Sequence, residues 1–128
     1  MQRLVEIRSY QLKRGTATEF HVAVETTAVP MLREWGADVV AYGPSEHAPD
    51  TYYLIRAYVD IDDLNRRQDA FYGSDEWRNG PREEIVSRIE SYLSTVLWMS
   101  PRGHRGSAPA QPGLSIPPGV DGPCHSVL

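Results

Sequence analysis

The sequence predicts one α+β domain with the element order β-α-β-β-α-β, followed by a tail with no fold of its own. Three observations carry this reading. Residues 51–59, TYYLIRAYV, alternate their side chains and are rich in strand formers. Residues 16–35 repeat apolar side chains at helical spacing, with Phe20, Val24, Thr27 or Ala28, Met31 and Trp35 on one face. Residues 100–128 hold six prolines and five glycines and no aromatic residue. Such a segment cannot bury enough apolar surface to offset the entropy of ordering itself.

The domain is therefore expected over residues 1–99, and a disordered Pro/Gly-rich tail over 100–128. Within the domain, residues 4–12, LVEIRSYQL, alternate as a first strand, and Lys13-Arg14-Gly15 turns the chain. The helix over 16–35 contains Pro30, which should kink it or restart its last turn. Gly36 is a natural stop. Residues 37–44 form a second strand, 45–50 a loop, and 51–59 a third strand. Asp60 is placed to cap a helix over about 61–72, where Asp62 and Asp63 favour the N-terminus. Ser74 caps a short turn through Trp77, and Pro81 opens a helix over about 82–90. Residues 92–99, YLSTVLWM, close the domain as a fourth strand. This is the ferredoxin-like split arrangement, one antiparallel sheet with helices on one face.

Composition narrows the function. With 128 residues the chain can bury one genuine core, and 41% hydrophobic and 23% charged residues are ordinary for a globular protein. The net charge is −4 with no basic block, which argues against nucleic acid or an anionic membrane as partner. No apolar run approaches the roughly 20 residues of a membrane span. The opening residues MQRLVEIRSY alternate and carry no apolar leader core, so a cytoplasmic address is expected. Cys124 is the only cysteine, which excludes an intrachain disulfide.

The segments VEIRSYQLKRGTATEF, VPMLREWGADVVAYG, TYYLIRAYVDIDDLNRRQDAFYGSDEW and GPREEIVSRIESY together resemble the NIPSNAP family. The resemblance covers nearly all of residues 3–98 and lies in the ordered series rather than in one motif. It implies a dimeric α/β barrel, in a small single-domain form that looks bacterial. The family offers no catalytic motif to carry over. In the wider barrel superfamily, cofactor-free monooxygenases, haem-dependent dehydratases and small-molecule cyclases or isomerases usually keep their pocket between sheet and helices. That implies a small-molecule binder, plausible as a cofactor-free enzyme of secondary or catabolic metabolism. The alternative is a non-catalytic dimeric interaction module.

Strand parity sorts the candidate residues. Arg8, Tyr10, Tyr52, Leu54, Arg56 and Tyr58 share one face, expected to be the open one. Two readings of them stay open. They form a dimer interface, where Tyr and Arg are enriched, or the arginines hold an acidic or enolate-like ligand with tyrosines as donors. Glu6 is the natural partner of either arginine. Val5, Ile7, Ser9, Tyr53 and Ile55 share the other face, expected to meet the helices. Ser9, Tyr53 and His21 are then the polar groups expected in a pocket there, with His21 and Tyr53 as the best catalytic candidates. His21 has Glu25 one turn on, which suits a tuned base or a simple helix pair.

Trp77 either lines that pocket or locks its connector against the sheet edge or the dimer partner. His47, between Glu46 and Asp50, matches no established metal spacing, and no metal or cofactor is expected. No nucleophile elbow, Walker loop, dinucleotide fingerprint or zinc pattern occurs.

Overall fold

The structure, a computed structural model, describes residues 2–100. The expected disordered tail, apart from Ser100, falls outside the described residues. Four strands, β1 (Arg3–Leu12), β2 (Asp38–Pro44), β3 (Thr51–Tyr58) and β4 (Ile89–Met99), form one antiparallel sheet in the order β2-β3-β1-β4. This is the ferredoxin-like α+β topology that the sequence predicts.

The first helical segment runs as α1 (Ala17–Ala23), a π-helical turn (Val24–Ala28) and α2 (Val29–Glu34) without a break. Pro30 explains the change of pitch. Its nitrogen cannot donate and its ring crowds the carbonyl four residues back. The wider turn, closed by Val29 N–H on Val24 O, carries the chain past that position. The stop is a Schellman motif. Gly36 at φ +89° lets Ala37 N–H reach Leu32 O and Gly36 N–H reach Arg33 O, both at 3.0 Å.

Helix α3 (Ile61–Tyr72) starts where Asp60 Oδ1 accepts from Asp63 N–H at 2.8 Å. Ser74 Oγ caps α4 (Asp75–Arg78) by accepting from Trp77 N–H at 3.2 Å. The following helix is shorter than its sequence suggests: α5 covers only Arg82–Val86. Residues 89 and 90, expected at its end, belong to β4 instead. The edge of β1 claims them, because Lys13 N–H bonds Arg88 O at 2.8 Å and Leu12 pairs with Ile89 across a bulge. None of the described helices is long and apolar enough to cross a membrane.

The strand parity is as expected, but the faces are exchanged. Arg8, Tyr10, Tyr52, Leu54, Arg56 and Tyr58 are buried beneath the helices. Tyr10 and Tyr52 meet Phe20 of α1 at ring distances of 5.7 and 5.0 Å. Val5, Ile7, Ser9, Tyr53, Ile55 and Ala57 point to the other side, away from the helices, where Val5, Ile7, Ile55 and Ala57 line one shallow concavity. The reason is steric and electrostatic. The helices present large groups, Phe20, Leu64, Phe71, Tyr72 and Trp77, which pack against rings and Leu54 better than against short aliphatic chains. The arginines tolerate burial because Glu6 is buried with them.

The core therefore has two apolar parts. Tyr10, Leu12, Phe20, Leu32, Tyr52, Leu54, Phe71 and Trp77 form the larger one. Leu4, Tyr58 and Leu64, with Val96 and Trp98, form the smaller. Glu6, Arg8, Arg56 and Gln68 are buried polar residues that belong to neither.

Candidate functional site between sheet and helices

Strand β1 places Glu6 and Arg8 on the helix side, two residues apart, and β3 places Arg56 directly opposite Glu6. The Glu6 carboxylate accepts from Arg8 Nη2 at 2.9 Å on one oxygen. Its other oxygen accepts from Arg56 Nη2 at 2.7 Å and from Gln68 Nε2 at 2.9 Å. Gln68 and Tyr72 come down from α3, one turn apart. Gln68 Nε2 also donates to Tyr58 Oη at 3.1 Å, and Arg56 Nη1 donates to Tyr72 Oη at 2.6 Å. Arg8 lies 4.7 Å from the ring centroid of Tyr92 on β4, a cation–π contact.

Burial opposes the charged form of Glu6. The guanidiniums of Arg56 and Arg8 more than offset this and hold its carboxyl below its ordinary range. Burial likewise works against Arg8 and Arg56, and Glu6 reverses the effect so that both stay firmly protonated. The Tyr10 hydroxyl is raised by burial, with Arg8 and Arg56 pulling against the rise, so it remains an O–H donor at neutral pH. Tyr58 and Tyr72 are raised by burial too.

Two hydroxyls stand out against these bonded groups. Tyr10 Oη and Ser94 Oγ are buried without a hydrogen-bond partner among the described residues. Ser94 is the direct cross-strand neighbour of Arg8, and Tyr10 follows Arg8 on the same face. A cleft of about 10 Å³, room for about one water, reaches Arg56, Tyr58, Gln68 and Tyr72 from the side of Trp35 and Arg67.

The residues singled out by sequence are dispersed. His21 lies on the helix side at the β2–β3 end. Its Nδ1 is 2.6 Å from Tyr52 Oη, and its Nε2 is 3.5 Å from Glu25 Oε1. Ser9 and Tyr53 pair across β1 and β3 on the outer face, where the Tyr53 ring covers Gly43. The structure therefore does not bring Ser9, Tyr53 and His21 to one pocket. Trp77 is buried in the larger apolar cluster, 5.3 Å from Phe71 and 5.4 Å from Tyr72 between ring centroids. His47 Nδ1 is 2.7 Å from Ser45 Oγ, and among the described residues no group of three or more His, Cys, Asp or Glu is placed to hold a metal ion.

Gln68, Tyr72, Tyr92 and Ser94 are the participants that sequence reasoning missed. For Gln68 a signal existed: it occupies the same helical stripe as Leu64, Phe71 and Tyr72, a buried line where a polar residue needs a partner. Outside the sheet, a concavity of about 260 Å³ is lined by Val5, Ile7, Val40, Ile55, Ala57 and Met99 together with Arg3 and Ser100.

An antiparallel four-stranded sheet with helices on one face and a polar layer beneath them defines an α+β protein of ferredoxin-like fold. The chain belongs to the NIPSNAP family, whose model matches residues 5–101. It is similar to a NIPSNAP family protein of unknown function from Agrobacterium tumefaciens, at 23% identity and a TM-score of 0.70 over 77% of this chain and 88% of that one. It is similar to an uncharacterised NIPSNAP-like domain protein from Burkholderia xenovorans, at 23% identity and a TM-score of 0.68 over 74% and 83%. A protein from Nitrosomonas europaea, provisionally named an antibiotic biosynthesis monooxygenase, shares the fold at 20% identity and a TM-score of 0.54 over 73% and 95%. No curated protein matches the chain.

Proposed function

We propose that this chain binds a small molecule between its sheet and its helices, as a cytoplasmic bacterial homodimer that works without a bound cofactor. One observation carries the reading. Around the bonded set of Glu6, Arg8, Arg56, Gln68 and Tyr72 lie two buried hydroxyls, of Tyr10 and Ser94, with no partner among the described residues. A buried hydroxyl left unsatisfied costs about 1–3 kcal/mol, so a fold that keeps two beside a charged layer has a use for them.

The groups suit stabilisation of negative charge. A guanidinium and an O–H aimed at one point polarise a carbonyl or hold an enolate, and the Glu6 carboxylate fixes the guanidinium in place. A fold shared with a provisionally named monooxygenase supports enzymatic use of this layer. The outer sheet face supports the homodimer: Leu93 is 69% and Val40 53% exposed beside Ile7 and Ile55, an apolar surface suited to a second copy. The bacterial reading rests on relatives from Agrobacterium and Burkholderia.

Thermal-shift measurements against neutral and acidic aromatic polyketides and acyl thioesters test the proposal. A ligand that binds only the folded state raises the midpoint. The rise should vanish in Ser94→Leu, which fills the interior beside Arg8. A panel without a single shift, or a shift lost instead in Val40→Trp on the outer face, would sink the interior site.

A further inference from the structure

We propose that the interior site selects carboxylates, with Arg8 as the anion-binding residue and the hydroxyls of Tyr10 and Ser94 as two further donors. This rests on the interior site proposed above. Ser94 sits opposite Arg8 in the β1–β4 ladder, so their Cβ atoms are roughly 5 Å apart. Tyr10 shares the buried face with Arg8 and comes from the same strand, and both hydroxyls lack an acceptor among the described residues. A carboxylate offers two oxygens with several lone pairs, enough for a guanidinium edge and two O–H donors at once.

The guanidinium is preset for this role. Glu6 Oε2 accepts from Arg8 Nη2 at 2.9 Å and the Tyr92 ring lies 4.7 Å beneath it. The nearby Glu6 carboxylate disfavours a dianion, so a monoanionic carboxylate fits better than a phosphate. The body of the ligand has a track as well. Tyr92, Val96 and Trp98 share the inner face of β4 with Ser94, and all three are only half-buried. An aryl or acyl acid can lie along them with its carboxylate at Arg8.

Calorimetric titration of the full chain with 2-naphthoate and with its neutral amide, 2-naphthamide, tests the assignment. The acid should bind about tenfold more tightly than the amide. Tyr10→Phe and Ser94→Ala should each weaken 2-naphthoate severalfold and weaken 2-naphthamide, whose single carbonyl oxygen is neutral, distinctly less. Neither variant should melt below wild type, because each loses only an unpartnered hydroxyl. Equal affinity for acid and amide, both lost in Ser94→Leu, overturns the carboxylate assignment while the interior site survives. Acid binding that follows Arg3→Ser rather than Tyr10→Phe moves the anion to the outer concavity and overturns it too. If neither compound binds, the carboxylate assignment fails, and the polyketide and thioester panel decides separately whether the interior site fails with it.

Discussion

Glu6 Oε1 accepts a hydrogen bond from Arg56 Nη2 at 2.7 Å across 50 positions of sequence. The two residues are direct partners in the β1–β3 ladder. The same carboxylate serves Arg8, so one anion stabilises two buried cations. Glu6→Gln keeps the shape and removes the charge. Taking one member from a buried ionic set costs about 3–5 kcal/mol. Urea unfolding should show a loss of that size; a loss under about 1 kcal/mol would mean that Glu6 does not hold the layer together.

Acid should expose the same dependence. Burial raises the Glu6 carboxyl, but Arg56 and Arg8 bring it below its ordinary value of 4.5. Burial also raises Asp63, but bonds from Val59 N–H and Arg67 hold it below 3.8. A carboxyl lowered by folding contributes stability that is present above its unfolded value and lost as pH falls through the folded one. Melting temperature, as far as these two groups set it, should hold steady down to about pH 5 and drop below it. In Glu6→Gln the drop should be shallower. An equally steep acid limb in that variant would assign acid sensitivity elsewhere.

His21 and Tyr52 form a contact that a double-mutant cycle can isolate. His21 Nδ1 and Tyr52 Oη are 2.6 Å apart, with the histidine half-buried and the tyrosine fully so. His21→Ala and Tyr52→Phe should show a coupling energy of about 0.5–1.5 kcal/mol. Additive losses would reduce the contact to simple packing against Phe20.

The outer face separates a homodimer from a monomer. In an isolated protomer, Leu93→Asp at a 69% exposed position should change stability by less than about 0.5 kcal/mol. In a dimer joined through this face it buries a charge against apolar neighbours. Sedimentation should show wild type at twice the 14.4 kDa chain mass and the variant near one. A wild-type monomer at micromolar concentration refutes the dimer.

Much of the fold was legible because its signals are local. Asp60 and Ser74 mark their helix starts by side-chain chemistry, and Gly36 its stop by φ. The candidate site was harder because the decisive fact is relational. Parity grouped Arg8, Tyr10, Arg56 and Tyr58 correctly, yet aliphatic Val5, Ile7 and Ile55 looked like the better core. What resolves the faces is the ends of β1: Leu4 and Leu12 share parity with Glu6 and Arg8, and both are 1% exposed. A glutamate and an arginine between two leucines of one strand, with a second arginine on β3 to match the glutamate, mark a buried charged layer. The end of α5 could not be read locally, because the pairing of Leu12 with Ile89 that draws residues 89 and 90 into β4 spans most of the domain.

The division of the core by a charged layer also fixes how the strands may align. A slip of two residues between β1 and β3 keeps every side chain on its face, so hydrophobic patterning cannot reject it. It would set Glu6 against Leu54 or Tyr58 instead of Arg56, parting the buried Arg56 from its direct carboxylate partner and leaving Glu6 only Arg8. The ionic layer thus works as a key that only one alignment turns. Replacing Glu6, Arg8 and Arg56 together by leucine or methionine removes that key. Such a variant should keep or gain thermal stability but lose the dispersion of its amide NMR spectrum as alternative alignments become populated. A single sharp set of resonances would show that packing alone selects the register.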